Sequence, residues 1–256
     1  MSHYTGALYA RRRIIVPKSH RVRLTGGQAS TPLVVAVLLL CTQVAAASPP
    51  RVVAELFTSL GCSSCPPADA LAGRLSTNSA VLVLSYHVTY WDGPDFSDPF
   101  ASRASTDRQY AYQRTLAERT VFTPQLVVNG AQSLVGSQDV EVQHALAAAT
   151  NPTAAFPVQA DLSKQPDGSF SLSLSGPETK ADVWELRYIR HSTTRVHGGE
   201  NGGHTLDTYN NVTHIRRLGP FKPGTLSLPP LKSPEDGVAI VVQSPGPGKV
   251  LGAAAY

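Results

Sequence analysis

Residues 52–71 read VVAELFTSLGCSSCPPADAL, and this stretch decides the fold of the first half of the chain. The β-branched and apolar run at 52–57 predicts a buried strand. A turn with two cysteines follows, Cys62 and Cys65. Two prolines come next and predict the first turn of a helix that ends near residue 75, because proline lacks the N–H group that has no partner there. The stretch therefore predicts a strand, a two-cysteine turn and a helix in direct succession.

The spacing of Cys62 and Cys65 is more typical of a redox-active cysteine pair than of a structural disulfide. The third cysteine, Cys41, lies in an apolar N-terminal run, so the processed chain is expected to keep this pair alone. A disulfide across so short a loop would stabilise the fold by about 2 kcal/mol, against about 3 kcal/mol for a loop of about 15 residues. In a close pair one sulfur can attack a partner and the other can release it. The alternatives are an inert disulfide and a reduced pair in the core.

Residues 1–47 have the order of a secretory signal peptide. Arg21 and Arg23 precede an apolar run at 33–41, and small residues at 45–47 suit a cleavage site. The run is too short to cross a bilayer, which takes about 20 residues. We therefore expect an exported protein, periplasmic or secreted, with no membrane span in the mature chain.

The basic character of the chain belongs to this presequence. It holds six of the 22 Lys and Arg residues and none of the 18 Asp and Glu residues, which leaves 16 basic against 18 acidic groups. The mature chain thus has no basic surplus of the kind that binds nucleic acid, and no nucleic-acid partner is expected.

Predicted helices and strands alternate in the first region, residues 48–150. Asp98 suits the N-cap of the second helix, and Asn129 with Gly130 predicts a two-residue hairpin turn. This order predicts an α/β sandwich with a thioredoxin-like topology. The elements that follow the opening unit are expected at 81–86, 99–118, 125–128, 133–135 and 139–149.

The second region, residues 151–256, has only strand signals. Short alternating or apolar runs are separated by Gly and Pro turns, which predicts a C-terminal β-rich, sandwich-like extension. The strands are expected at 158–162, 170–174, 183–190, 225–228, 238–242 and 250–255.

Four residues besides the cysteines have patterns that suggest a role at the site. Thr123 and Pro124 precede a predicted strand, where a cis-proline loop would face the cysteines and present backbone groups to an extended substrate. Glu55 lies in the opening strand, where a buried carboxylate could relay a proton to the resolving thiol; a strand-edge Glu held by an Arg is the alternative. His87 ends the second strand as a structural histidine or as a third ligand for Cu(I).

The cysteines themselves have distinct expected roles. Cys62 is predicted at or just before the helix N-terminus, where backbone N–H groups and the helix dipole lower a thiol pKa from about 8.5. Cys65, one turn further in, would resolve the mixed disulfide. Glu200 and Asn201, between two Gly-Gly pairs, belong to a loop that either folds over the cysteines or connects two strands.

Several motifs together resemble a bacterial family of exported thioredoxin-like proteins, catalogued as domain of unknown function 1223. The resemblance covers essentially the whole mature chain and implies the thioredoxin-like fold; it supplies no substrate. The motifs are the stretch at 55–71 and those at 85–92, 98–101, 108–112, 123–130, 199–201 and 209–212.

Three functions are open at this stage. The first is an exported thiol–disulfide oxidoreductase that needs no bound cofactor, acts on a protein thiol or disulfide, and exchanges electrons with a redox partner protein. Whether it oxidises, reduces or isomerises depends on a reduction potential that the residues do not reveal. The second is a Cu(I) carrier on Cys62, Cys65 and His87. The third is a binding module with a passive disulfide, whose function lies in the β-rich half.

Overall fold

One eight-stranded mixed sheet runs through both halves of the chain. The structure, a computed structural model, describes residues 49–233 and 236–256. The predicted signal peptide, with Cys41, lies outside the described residues. The strand order in the large sheet is β11-β10-β7-β8-β2-β1-β3-β4, and a second sheet has the order β5-β6-β9. The fold is thus mixed α/β with one large mixed sheet and few helices.

The elements follow one another along the chain with short 3₁₀ turns at Thr89–Trp91 and Pro152–Ala154. The helices are α1 (Pro66–Ser76), α2 (Arg103–Thr115) and α3 (Asp139–Ala149). The strands of the first half are β1 (Val52–Thr58), β2 (Val81–His87), β3 (Gln125–Val128) and β4 (Gln132–Val135). Those of the second half are β5 (Gln159–Lys164), β6 (Phe170–Ser175), β7 (Asp182–Arg195), β8 (Thr205–Pro220), β9 (Gly224–Leu228), β10 (Asp236–Gln243) and β11 (Val250–Ala255).

Helices cover both faces of the first half of the sheet. Leu71 of α1 and Leu146 of α3 pack on the face that carries Leu56 of β1. Tyr112 of α2 packs on the opposite face, against Phe57. β1 is buried on both faces, which explains its continuous apolar run. Each fully buried leucine of this kind stabilises the fold by about 1.5–3 kcal/mol.

The second half extends this sheet. β8 lies beside β2, β7 pairs antiparallel with β8, and β10 and β11 complete the edge. The small sheet covers one face of this extension: Phe170 and Leu172 of β6 pack with Ile240 of β10. Residue 150 marks a change from helices and strands to strands alone, and the large sheet continues across it.

β8 is the strand that the sequence patterns miss. Its residues are mostly polar, many are exposed or half-exposed, and its first part pairs with the end of β7 in a long hairpin. β7 is likewise longer than the eight residues predicted at 183–190. The tip of the hairpin, residues 196–204, returns to the cysteine turn.

The second helix starts later than predicted. It begins at Arg103, and Ser102 is its N-cap, with the side-chain oxygen accepting from the N–H of Ser105. The prediction of Asp98 as N-cap is wrong, because its carboxylate accepts hydrogen bonds from Leu60 and Phe100 instead.

Among the helices that the structure describes, none has the length and apolar character that crossing a membrane requires.

Candidate functional site

The cysteine turn connects β1 to α1. Cys62 and Cys65 form a disulfide with their Cα atoms 5.4 Å apart, and both residues are fully buried. The N–H of Cys62 donates to the carbonyl oxygen of Ser59 at 3.2 Å, and the N–H of Cys65 donates to that of Cys62 at 3.1 Å. The turn is therefore a compact, internally hydrogen-bonded loop that holds the two sulfurs together.

The helix begins at Pro66, as the two prolines predicted. Pro66 and Pro67 occupy the first two helical positions, which makes Cys65 the N-cap and leaves Cys62 three residues before it. Cys62 thus lies just before the helix, which is within the prediction, whereas the prediction that Cys65 lies one turn inside the helix is wrong. The prolines also supply no N–H donors, so the helix offers Cys62 fewer hydrogen bonds than the sequence argument assumed.

Thr123 and Pro124 lie beside the cysteines. The peptide bond between them is cis, which confirms that prediction. The carbonyl oxygen of Thr123 is 3.9 Å from Sγ of Cys62, and the hydroxyl of Ser64 is 3.3 Å from the same sulfur. The hydroxyl of Thr123 accepts a hydrogen bond from Nε1 of Trp91 at 2.8 Å, which holds this residue in place.

The hairpin tip folds over the cysteine turn, one of the two arrangements that the sequence left open. Oε2 of Glu200 accepts from the N–H of Ser63 at 2.9 Å and from its hydroxyl at 2.7 Å. Nδ2 of Asn201 donates to the carbonyl oxygens of Leu60 at 2.9 Å and Cys62 at 2.8 Å. These bonds with Ser63 hold the pKa of Glu200 below its usual range, because they stabilise the ionised carboxylate.

A buried carboxyl group lies one helical turn after Cys65. The N–H of Asp69 donates to the carbonyl oxygen of Cys65 at 3.1 Å, and its Oδ1 accepts from the hydroxyl of Thr58 at 2.9 Å. Its Oδ2 is buried and has no hydrogen-bond partner among the described residues. Burial raises the pKa of Asp69 from 3.8 to about 6, although the nearby His87 lowers it in part.

His87 forms a buried ion pair with Asp98 beneath the turn. Its Nδ1 is 2.8 Å from Oδ2 of Asp98, and its Nε2 is 3.1 Å from Oδ1 of Asn211. Burial lowers the pKa of His87, but the bond to Asp98 and the charges of Asp98 and Asp69 outweigh burial and raise it. The pKa of Asp98 is lowered: burial raises it, and the bond and charge of His87 more than compensate.

We call the group Thr58, Asp69, His87, Asp98 and Asn211 the cysteine-side cluster. Asp98 connects it to the turn, since its Oδ2 also accepts from the N–H of Leu60 at 2.8 Å. A set of buried ionisable groups is thus hydrogen-bonded to the turn that carries the disulfide.

Glu55 belongs to a separate group on the other face of β1, which we call the arginine cluster: Glu55, Arg108, Tyr112 and Gln243. Oε1 of Glu55 accepts from Nε of Arg108 at 2.6 Å, and Oε2 accepts from the hydroxyl of Tyr112. The structure thus combines both interpretations of Glu55, because the carboxylate is buried and is held by an arginine. α1 packs on the opposite face of the strand, so Glu55 is badly placed to relay a proton to Cys65.

The copper alternative finds little support in the geometry. Both ring nitrogens of His87 are engaged, by Asp98 and by Asn211, and both cysteine sulfurs are in the disulfide. Within residues 49–233 and 236–256, no group of three His, Cys, Asp or Glu side chains is arranged to hold a metal ion. A Cu(I) site on these residues would have to break the buried ion pair first.

Asp69, Asp98 and Glu200 are the site residues whose roles the sequence reasoning missed. Asp69 had a usable signal, since it stands four residues after Cys65 and residues at that spacing share one face of a helix. The Gly-Gly pairs marked the loop of Glu200, but its contact with Ser63 could not be found from local patterns, because 137 residues separate the two.

Residues 53–243 match the family described as "Protein of unknown function (DUF1223)". This chain belongs to the DUF1223 family. The matched range includes both cysteines, Thr123, both buried clusters and the hairpin tip, so the whole candidate site lies within the family region.

Solved structures similar to this DUF1223 protein include a crystal structure of a protein from Agrobacterium tumefaciens. It is 26% identical with a TM-score of 0.70, and the match covers 82% of this chain and 95% of that one. HBP35 of Porphyromonas gingivalis is 14% identical with a TM-score of 0.60, covering 81% of this chain and 75% of that one, and shares the fold. A comparison with curated proteins gives no match.

Proposed function

We propose that this DUF1223 protein is an exported thiol–disulfide oxidoreductase built on a thioredoxin-like arrangement of β1, α1, β2, β3, β4 and α3. The observation that carries the proposal is the Cys62–Cys65 disulfide, which lies against the backbone carbonyl of Thr123. In the reduced pair, the carbonyl oxygen of Thr123 is placed to accept from a Cys62 thiol and the hydroxyl of Ser64 to donate to its thiolate. In the proposal Cys62 is the nucleophile, since the hydroxyl of Ser64 lies 3.3 Å from its Sγ and can donate to the thiolate, and Cys65, the N-cap of α1, is the resolving cysteine.

In the reducing direction the reaction consumes a dithiol and a substrate disulfide. The Cys62 thiolate attacks one sulfur of the substrate disulfide, the substrate S–S bond breaks, and its other sulfur leaves and takes up a proton. The Cys65 thiolate then attacks Sγ of Cys62, which re-forms the protein disulfide and releases the second substrate thiol. Two electrons pass to the substrate, and a dithiol protein partner restores the reduced pair. The oxidising direction is the reverse of these steps.

Asp69 is the group that we propose exchanges the proton with Cys65. Its carboxyl has a pKa of about 6, so it can both accept and release a proton near neutral pH. Within the part of the chain that the structure describes, its Oδ2 has no hydrogen-bond partner and is therefore available to carry the proton that is exchanged with Cys65. Asp69 takes over the role that the sequence suggested for Glu55, whose carboxylate is already bound by Arg108 and Tyr112.

The test separates the two sulfurs. Cys65→Ala should trap a mixed disulfide between Cys62 and a model substrate such as insulin, whereas Cys62→Ala should trap none, because it lacks the attacking sulfur. Each variant is the control for the other. The potential of the wild-type pair should fall between about −270 and −120 mV, the range of known exchange proteins.

A potential below about −300 mV, with no trapped intermediate in Cys65→Ala, would show that the bond is structural. The protein would then be a binding module with a passive disulfide, and the oxidoreductase assignment would be abandoned.

A further inference from the structure

We propose that Glu200, at the tip of the β7–β8 hairpin, is a positioning residue that lowers the reduction potential of the Cys62–Cys65 pair. Its carboxylate accepts the hydrogen bond of the Ser63 N–H, and this places a negative charge at the residue that follows Cys62, whose sulfur would carry the thiolate. The proposal rests on the proposed redox function. It gives the β-rich half of the chain a role at the cysteine turn, because Glu200 lies on a hairpin of that half.

The tip is attached to the turn at several atoms. Besides accepting two hydrogen bonds from Ser63, Glu200 donates its own N–H to the carbonyl oxygen of Gly61 at 3.1 Å. Asn201 is 7% exposed and donates to the carbonyl oxygens on both sides of Gly61, those of Leu60 and Cys62. The contact therefore places the carboxylate of Glu200 in a defined position.

The backbone at this contact requires glycine on the hairpin side. Gly199 has a φ of +67°, a conformation that residues with a side chain rarely adopt. A Cβ atom at Gly199 would lie 3.0 Å from Cα of Gly61. The backbones of the hairpin tip and the cysteine turn thus leave little room for a side chain at position 199.

The donors that usually stabilise a thiolate at a helix N-terminus are scarce here. Pro66 and Pro67 have no N–H, and the N–H groups of Ala68 and Asp69 donate to the carbonyl oxygen of Cys65. The N–H of Cys65 donates to the carbonyl oxygen of Cys62. The N–H of Ser63, the residue after Cys62, donates its hydrogen bond to the carboxylate of Glu200.

The sign of the effect follows from the charges. The disulfide form carries no charge at the sulfurs, so Glu200 does not oppose it. The reduced form places a thiolate on Cys62 close to a carboxylate, and like charges raise the pKa of the thiol. Glu200 therefore disfavours the reduced form, stabilises the disulfide, and makes the reduced protein a stronger reductant.

Other ionisable groups surround the turn from every element packed against it, and they stay the same in the variants compared below. They are Asp69 on α1, His87 on β2, Asp95 and Asp98 in the loop after β2, and Arg195, His197 and His204 at the end of the hairpin.

The experiment compares Glu200→Gln with the wild-type protein. Glutamine keeps an oxygen that can accept from Ser63, so the substitution removes the charge and little else. We expect the acid dissociation constant of the Cys62 thiol, measured from the pH dependence of alkylation of the reduced protein, to rise about tenfold. Equilibration with glutathione above the Cys62 pKa should favour the dithiol about tenfold more, which corresponds to a potential about 30 mV higher.

Two further variants complete the design. Glu178→Gln removes a carboxylate of the second half that is likewise exposed and lies outside the tip, and it should change neither quantity. Glu200→Asp keeps the charge and should stay closer to the wild-type pKa than Glu200→Gln does. The difference between Glu200→Gln and wild type should shrink as NaCl is raised, because the carboxylate is exposed and its charge is screened.

An unchanged Cys62 pKa in a folded Glu200→Gln protein would overturn the inference, as would a shift in the opposite direction. Either result would leave the proposed function standing if Cys65→Ala still traps substrate. Conversely, a wild-type protein that exchanges no disulfides would remove the proposed function, while the pKa difference between the variants would still measure the effect of Glu200.

Discussion

The two faces of β1 carry two buried polar groups that are satisfied to different degrees. On one face the arginine cluster pairs both oxygens of Glu55, and the guanidinium of Arg108 also donates to Oε1 of Gln243 at 2.8 Å. On the other face, in the cysteine-side cluster, Asp69 keeps one oxygen without a partner. The first cluster therefore holds the fold together, and the second retains a titratable group beside the cysteines.

The difference shows that burial alone does not identify a carboxylate that transfers protons; its hydrogen-bond partners must also be known. Burial alone made Glu55 a candidate for proton transfer, yet its charge is neutralised by Arg108, whose guanidinium lies 5.4 Å from the ring centre of Tyr112. In the arginine cluster both oxygens of the carboxylate are already occupied by donors. Incomplete satisfaction, as in Asp69, marks the group that can exchange a proton.

The largest effect is expected from Arg108→Met, which removes the charge that compensates Glu55. The variant should lose about 3–5 kcal/mol of unfolding free energy, because an unpaired carboxylate stays buried. Urea unfolding measures this loss. The control is Arg103→Met on the same helix, whose exposed pair with Asp107 is worth at most about 0.5 kcal/mol.

Replacing Glu55 as well sharpens this test. The double variant Glu55→Gln/Arg108→Met should be more stable than Arg108→Met, since no unpaired charge remains in the core. Equal stability of the single and double variants would show that Arg108 contributes by packing and not by its charge.

Asp69→Asn should increase the free energy of unfolding, in contrast to Arg108→Met, and only at pH values where the Asp69 carboxyl is ionised. Asp69 binds its proton more tightly in the folded protein, where its pKa is about 6, than in the unfolded chain, where it is 3.8. The contribution of Asp69 to stability is therefore fully present below this window and falls by about 3 kcal/mol as pH rises from about 4 to 6. The asparagine variant should lack this fall and be more stable than wild type at pH 7.

Unfolding free energies of wild type and Asp69→Asn at pH 4, 5, 6 and 7 provide the measurement. Asp161→Asn replaces an exposed aspartate and should leave the pH profile unchanged. If Asp69→Asn follows the wild-type profile at all four values, Asp69 does not titrate in this window and the contrast between the clusters disappears.

Tyr112→Phe should have the smallest effect of the three. It removes the hydroxyl that donates to Glu55 and accepts from Nε2 of Gln243 at 2.7 Å. A loss of about 1–3 kcal/mol is expected, because two buried groups each lose a partner. Thermal unfolding beside Tyr110→Phe, an exposed tyrosine on the same helix, measures it; a loss no larger than in that control would contradict the prediction.

Local patterns predicted the parts of the site that neighbouring residues build. The bounds of β1 and α1, the cis bond at Thr123 and the pairing of Cys62 with Cys65 all follow from short stretches of sequence. The error on the helix N-cap was also local: two prolines at the first helical positions require Cys65, the residue just before them, to be the cap.

Long-range pairing decided the rest. β8 was not predicted because its mostly polar sequence does not alternate with apolar residues. Its position beside β2 depends on the tertiary structure. That position brings Asn211 to His87 and the hairpin tip to the cysteine turn. The two faces of β1 could be assigned only once α1 and α2 were seen to pack on opposite sides.

The sequence by itself determined that this protein has a strand, a two-cysteine turn and a helix, with a cis-proline loop and a β-rich second half. These features depend on the covalent limits of proline, the period of strands and the spacing of two thiols, which act over a few residues. The tertiary structure alone decided which carboxylate lies beneath the cysteines and which one reaches over them. The reason is physical: the charge and hydrogen bonds felt by a buried group come from side chains that are distant in sequence, such as Glu200 at Ser63 and Arg108 at Glu55.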